Sequence, residues 1–141
     1  MPVTAVDTSV AVPLLVASHP RHAMVAKWAK GRNLGLCGHA LAETYSVLTR
    51  LPGDARVHPA DAVVLIDENV AELLQLGVRA ARAAHRKFAR EGIAGGATYD
   101  GLVALAAREH GAVVVTRDAR ARSTYEVLGV SAEALADDTV P

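Results

Sequence analysis

Short, wholly apolar runs alternate along this chain with longer segments of helical period. Residues 3–6, 34–37 and 112–115 are brief runs rich in branched or small apolar side chains, the last bounded by Gly111 and Thr116. Such runs read as strands buried on both faces, which favours parallel pairing. Shorter candidates of the same kind fall at 70–76 and 130–134. Between them, apolar positions recur at three- and four-residue intervals over 10–15, 22–30, 40–51, 59–68, 78–91, 101–110 and 119–128. The stops are Gly31, Pro52-Gly53, Gly111 and Gly129, and Pro59 suits a first helical turn. Strands alternating with helices predict an α/β domain whose central parallel sheet is covered on both sides.

Composition narrows the picture. The chain has 141 residues, 51% hydrophobic and 21% charged, which suits one globular domain over 1–141 and not a disordered chain. Residues 137–141, Asp-Asp-Thr-Val-Pro, read as a frayed tail. Fifteen Lys and Arg balance fifteen Asp and Glu, so no net field draws the molecule to polyanions, and any such site must come from local placement. Cys37 is alone, and the six His lack zinc spacing; the His19-Pro20-Arg21-His22 pair is interrupted by proline. No run approaches the ~18 apolar residues of a spanning helix, and the N-terminus lacks a basic leader, so the expected location is the cytoplasm, with no membrane partner.

The candidate chemistry is carried by carboxylates. Asp7 follows the first strand directly, and Asp118 follows the 112–115 strand with Thr116-Arg117 between them. Both therefore fall at the carboxyl edge of the sheet, where open α/β folds bind ligands. As single residues, both also suit helix N-caps. Glu43 borders the apolar stripe of the 40–51 helix, and Asp100 shares a helical face with Val103, Ala104 and Ala107. A solvated surface charge for Glu43 and a helix cap for Asp100 are the plainer alternatives. Four carboxylates at one edge would repel one another by about 4 kcal/mol for each pair at 4 Å in an effective dielectric of 20. They call for protons or cations, and an oxygen-only donor set favours Mg²⁺ or Mn²⁺.

In order and spacing, Val6-Asp7-Thr8-Ser9, Ala42-Glu43, Thr98-Tyr99-Asp100 and Val115-Thr116-Arg117-Asp118 resemble the four acidic motifs of the PIN domain. The resemblance covers essentially the whole chain, and length and ending resemble the VapC toxins of bacterial VapBC toxin-antitoxin systems. It implies a three-layer α/β/α sandwich around a mostly parallel five-stranded sheet in the order 3-2-1-4-5. Asp7, Glu43, Asp100 and Asp118 would form the catalytic acidic centre, with Asp7, Asp100 and Asp118 as metal ligands. Thr8, Ser9 and Thr116 would support them by hydrogen bonding, Ser9 standing where many members carry Asn. The implied activity is Mg²⁺- or Mn²⁺-dependent hydrolysis of a structured tRNA or rRNA, leaving 5′-phosphate and 3′-hydroxyl ends. The implied partners are a VapB-like antitoxin, which often inserts an Arg into the acidic pocket, and a second copy of the toxin in a homodimer. The apolar helices over 10–30, with Trp28, offer a groove for the antitoxin.

An acidic pocket does not hold RNA unaided, so basic rim residues are needed. Arg117, Arg120 and Arg122 flank the site in sequence and are better placed than Arg86, which shares a helical face with Arg79, Arg82 and Arg90 in a stripe that a solvated face explains better. Of the other residues weighed, His39, Cys37, Trp28 and Tyr45 read best as capping or packing residues. Two other functions remain open at this level. A haloacid-dehalogenase-like Mg²⁺ phosphatase also begins with an Asp after its first strand, but needs a second Asp where Ser9 stands. A noncatalytic α/β interaction module is the third possibility.

Overall fold

A computed structural model of the protein describes residues 2–135. The five strands are β1 (Val3–Val6), β2 (Asn33–Cys37), β3 (Glu72–Leu74), β4 (Val113–Thr116) and β5 (Ala132–Ala134). They form one sheet in the order β3-β2-β1-β4-β5, and every pairing is parallel. The expected order is therefore found, and the sheet is wholly parallel.

Among the described residues there are seven α-helices: α1 (Thr8–Leu15), α2 (His22–Ala29), α3 (His39–Thr49), α4 (Pro59–Asn69), α5 (Val78–Glu91), α6 (Ala97–Glu109) and α7 (Ala119–Val127). Right-handed crossovers that run outward from β1 in opposite directions must lay their helices on opposite faces of the sheet. The packing agrees: α1 touches α2, α3 and α4, whereas α6 touches α5 and α7. The two groups meet where α3 touches α6.

The core is built from Ala5, Val6, Leu36, Val114 and Val115 of the central strands and from small helical residues such as Ala104, Ala106 and Ala107. Small side chains bring helices close to the sheet, and Gly35 is the extreme case. A Cβ there would lie 2.9 Å from Val3 Cγ1 and 3.2 Å from Leu74 Cδ1. Gly101 plays the same part between helices, since the buried Phe88 ring of α5 would stand 2.6 Å from an added Cβ. Gly38 joins β2 to α3 at φ +47, a left-handed value that a side chain would strain, and lies against Leu102 and Ala106 of α6. That turn sets α3 against α6 above the end of the sheet.

Three boundaries differ from the sequence expectation in ways that matter. Helix α1 begins at Thr8 instead of Val10 because Asp7 caps it, and it continues through Pro13. Helix α6 begins at Ala97 instead of Gly101, after Gly95 at φ +60, so Asp100 lies in its first turn and does not cap it. The edge strands β3 and β5 span three residues each, shorter than the expected 70–76 and 130–134, and each pairs with only the last three residues of its one neighbour. The tail expected at 137–141 lies outside the described residues.

Candidate metal centre

Strand register brings the first acids together. Val6 pairs with Leu36 on one side and Val115 on the other, so Asp7, Cys37 and Thr116 stand at one level at the carboxyl edge. Asp118 follows two residues later as the N-cap of α7. Glu43 arrives on α3 and Asp100 on α6, the two helices joined at Gly38. All four carboxylates line one small cavity of about 40 Å³, with Thr8, Ser9, Val103, Ala121 and Tyr125. A water's share of liquid volume is about 30 Å³, so this space suits a single ion or water. Larger grooves, of about 430 Å³ between α5 and α6 and about 470 Å³ beside Tyr45, Val63 and Leu73, lie away from the carboxylates.

One wall of the cavity is wired by hydrogen bonds. Asp7 is buried, and its Oδ1 accepts from the Ser9 amide at 3.0 Å and the Ser9 hydroxyl at 2.5 Å. Its Oδ2 accepts from the Tyr125 hydroxyl at 2.7 Å. Ser9 Oγ also accepts from the Arg117 amide at 2.8 Å and lies 3.2 Å from Thr116 Oγ1, which accepts from the Asp118 amide at 3.0 Å. Proton counting fixes the direction. The single Ser9 hydroxyl proton goes to the carboxylate, so Thr116 donates to Ser9. A directed chain thus runs from the Asp118 amide through Thr116 and Ser9 to Asp7. Asp118 Oδ1 accepts from the Arg120 and Ala121 amides at 2.9 and 3.3 Å. The capping and site readings of Asp7 and Asp118 are therefore compatible: each caps its helix and faces the cavity.

The opposite wall is not wired. Among the described residues, Asp100 and Glu43 accept no hydrogen bond; the Glu43 Oε2 lies 3.8 Å from His39 Nε2. Burial, followed by the charges of Asp118, Asp7 and Glu43, pushes the Asp100 carboxyl up to about 6. The same field reaches the neighbours. Burial and then the Asp7 charge push the Cys37 thiol up to about 12, and burial, the Asp7 charge and the hydrogen bond to Asp7 raise the Tyr125 phenol far enough to keep it a donor.

The flanking residues divide. Pro13 has no N–H to give the Ser9 carbonyl four residues before it, and Arg117 Nη1 donates to that carbonyl at 3.3 Å. Arg117 is thus half-buried and braces α1 against the end of β4, with the partly buried His19 held below its ordinary value chiefly by burial and then by Arg117. Arg120 is exposed beside Asp118, Arg122 pairs with Glu126 at 3.1 Å, and Arg86 is exposed on α5, away from the cavity lining. Thr8 lines the cavity and meets Thr44 at 3.4 Å. Tyr125 was not expected from the sequence. Its signal is spacing: Ala121 and Tyr125 follow Asp118 at i+3 and i+7, on one helical face.

The chain as a whole matches a known family. The PIN domain model matches residues 4–127, and the chain belongs to the PIN domain family. It is 57% identical over 129 residues to Ribonuclease VapC27 of Mycobacterium tuberculosis, covering 92% of this chain and 94% of that protein. It is 42% identical over 128 residues to Ribonuclease VapC40 of the same species, covering 90% of this chain and 95% of that one. In fold it resembles the crystal structure of M. tuberculosis VapC20, described as a Sarcin-Ricin loop cleaving toxin, at a TM-score of 0.67 and 20% identity, with 85% and 93% of the two chains covered. It also resembles VapBC from Salmonella typhimurium bound to DNA, at a TM-score of 0.64 and 20% identity, covering 95% and 98%.

Whether the residues suit a divalent cation can be judged from their chemistry. The cavity is lined by carboxylate and hydroxyl oxygens with no lysine or arginine, and the raised Asp100 carboxyl records repulsion that a cation would relieve. Among the described residues, no three His, Cys, Asp or Glu side chains are drawn into a closed ligand set. The donor set fits Mg²⁺ or Mn²⁺; the wall that would close on it is the unwired one. No described helix is long and apolar enough to cross a membrane.

Proposed function

We propose that this protein is a metal-dependent endoribonuclease acting as the toxin of a toxin-antitoxin pair. The observation that carries the reading is the convergence of Asp7, Glu43, Asp100 and Asp118, from four separate elements, on one ion-sized cavity. Two relatives that cover nearly the whole chain are named ribonucleases. Membership of the PIN family sets aside the haloacid-dehalogenase-like phosphatase and the noncatalytic α/β interaction module.

Asp7, Asp100 and Asp118 would hold Mg²⁺ or Mn²⁺, and Glu43 completes the acidic catalytic set. The ion supplies an acidified water and screens charge developing on phosphorus oxygens. The chain's own part is orientation. Tyr125 and Ser9 fix both oxygens of Asp7, the Arg120 and Ala121 amides fix one oxygen of Asp118, Ser9 and Thr116 keep that wall in register, and Thr8, which accepts from Thr44, ties it to α3. No side-chain nucleophile is needed, because water can attack the phosphodiester and leave a 5′-phosphate and a 3′-hydroxyl. Arg120 and Arg86 are the exposed cations available to the RNA backbone. Arg117 would contribute charge from its brace on Ser9.

The partners that follow are a structured tRNA or rRNA substrate, a VapB-like antitoxin and a second copy of the chain, all in the cytoplasm, with one domain over 1–141. Solved relatives of the same fold include VapBC assemblies. The test is to map new RNA 5′ ends in bacteria after inducing the wild type or Asp7→Asn. Discrete 5′-phosphate ends present only with the wild type are expected; the same pattern with Asp7→Asn would refute the chemistry.

A further inference from the structure

The unwired wall carries an aromatic feature that hydrolysis by the acids does not use. The His39 imidazole and Tyr99 phenol rings are stacked, with centroids 4.6 Å apart and planes inclined by 25°. They come from α3 and α6, the helices that deliver Glu43 and Asp100. Tyr99 immediately precedes Asp100, and His39 lies 3.8 Å from Glu43. Neither ring lines the acidic cavity, but the pair stands beside it through His39, which lies against the lining Glu43.

Packing alone does not account for it. Contact between α3 and α6 is already made at Gly38, which lies against Leu102 and Ala106. Tyr99 is 52% exposed, and its hydroxyl makes no hydrogen bond among the described residues. Of the chain's five aromatic rings, Phe88 and Tyr125 are buried and Trp28 has the Arg32 guanidinium over its face at 4.7 Å. Only Tyr45, which lines the separate groove beside Val63, and Tyr99 are open to solvent.

We infer that the Tyr99–His39 stack is a platform on which an unpaired nucleobase of the RNA, next to the scissile phosphate, is stacked. This rests on the ribonuclease reading. Among the described residues no lysine or arginine lines the cavity, so the arginines at its rim serve the phosphates and leave a base beside the acids to be held by a contact indifferent to charge; every base has a π-face. His39 backs the Tyr99 ring and fixes its plane. The platform makes Tyr99 a substrate-binding residue, and it favours cleavage in loops or single strands, where a base is free to leave its own stack.

The test uses a ten-nucleotide oligoadenylate carrying one 2-aminopurine, whose fluorescence is quenched on stacking, with full-length Asp7→Asn protein in Mg²⁺ buffer to prevent cleavage. Quenching on binding is expected with Tyr99 and with Tyr99→Phe. Tyr99→Ala should lose the quench and bind about tenfold or more weakly, as the loss of one base–aromatic stack implies. In the cleaving background, Tyr99→Ala should raise KM more than it lowers kcat, and Tyr99→Phe should restore both. Thermal melts verify that the variants fold. Equal quenching and affinity for Tyr99→Ala, or an equal loss with Tyr99→Phe, overturns the platform. If the wild type cleaves RNA while Tyr99→Ala leaves KM unchanged, only the platform falls. If the wild type neither cleaves nor binds RNA, the ribonuclease reading falls and the platform with it.

Discussion

The two walls of the acidic cavity are built on opposite principles. On the Asp7–Asp118 side, both carboxylates cap helices, and a hydrogen-bonded chain runs from the Asp118 amide through Thr116 and Ser9 to the Asp7 carboxylate, with Tyr125 closing it from behind. On the Glu43–Asp100 side, the carboxylates accept no hydrogen bond among the described residues, and the Asp100 carboxyl is pushed up to about 6. On the proposed function, the first wall would serve folding and chemistry together, and the second would serve chemistry at a cost in stability until something positive enters. Substitutions should therefore separate the walls: on the first, stability and activity fall together; on the second, activity falls while stability holds or rises.

The largest effect is expected from Ser9→Ala. It removes a donor from the buried Asp7 carboxylate and leaves the Arg117 amide without its acceptor, for a loss of about 2–3 kcal/mol in urea unfolding. Metal affinity or cleavage should drop by about 10–100-fold as Asp7 loses its orientation. Wild-type stability would show that the chain through Ser9 is not what holds this wall.

Asp100→Asn should do the reverse. With its folded-state value raised to about 6 against an ordinary 3.8, the folded protein holds a proton between those limits that the unfolded chain has released. Stability of the metal-free protein must then fall as pH rises from about 4 to about 6, and the penalty is complete above that window. Asn removes it. After discounting for the half-exposed setting, the gain is about 1 kcal/mol at pH 7.5 and nothing near pH 4, with cleavage lost. A variant less stable than wild type at pH 7.5 would contradict the repulsion.

The smallest effect concerns Cys37, which lies level with Asp7 but inside the sheet. Raised to about 12, its thiol should react with a disulfide reagent at pH 8 about 10–100-fold more slowly in the native than in the unfolded protein. Asp7→Asn should relieve only a small part of this, because burial is the larger cause. Fast native labelling would mean that the edge is open.

Much of this was legible in the sequence. The three buried strands and the carboxyl-edge positions of Asp7 and Asp118 follow from continuous apolar runs, a strong signal because both faces of those strands are covered. The true start of α6 was hidden because Gly95, Gly96 and Thr98 read as loop, although a left-handed Gly95 is what turns the chain into that helix. Arg117 read as a rim cation because the orphaned Ser9 carbonyl exists only once Pro13 is known to lie inside a helix. Tyr125 shares a helical face with Asp118, a spacing the sequence does show, whereas the His39–Tyr99 stack depends on helix-to-helix placement, which no local spacing encodes.

The most direct test of the shared ion site is calorimetric titration of Mn²⁺ into the wild type, Asp118→Asn and Asp100→Asn across pH 5 to 8. Binding at pH 7.5 should weaken as pH falls through about 6, where Asp100 takes up its proton, and should be lost in both variants, one from each wall. No binding by the wild type, or binding that neither substitution nor pH alters, would contradict it.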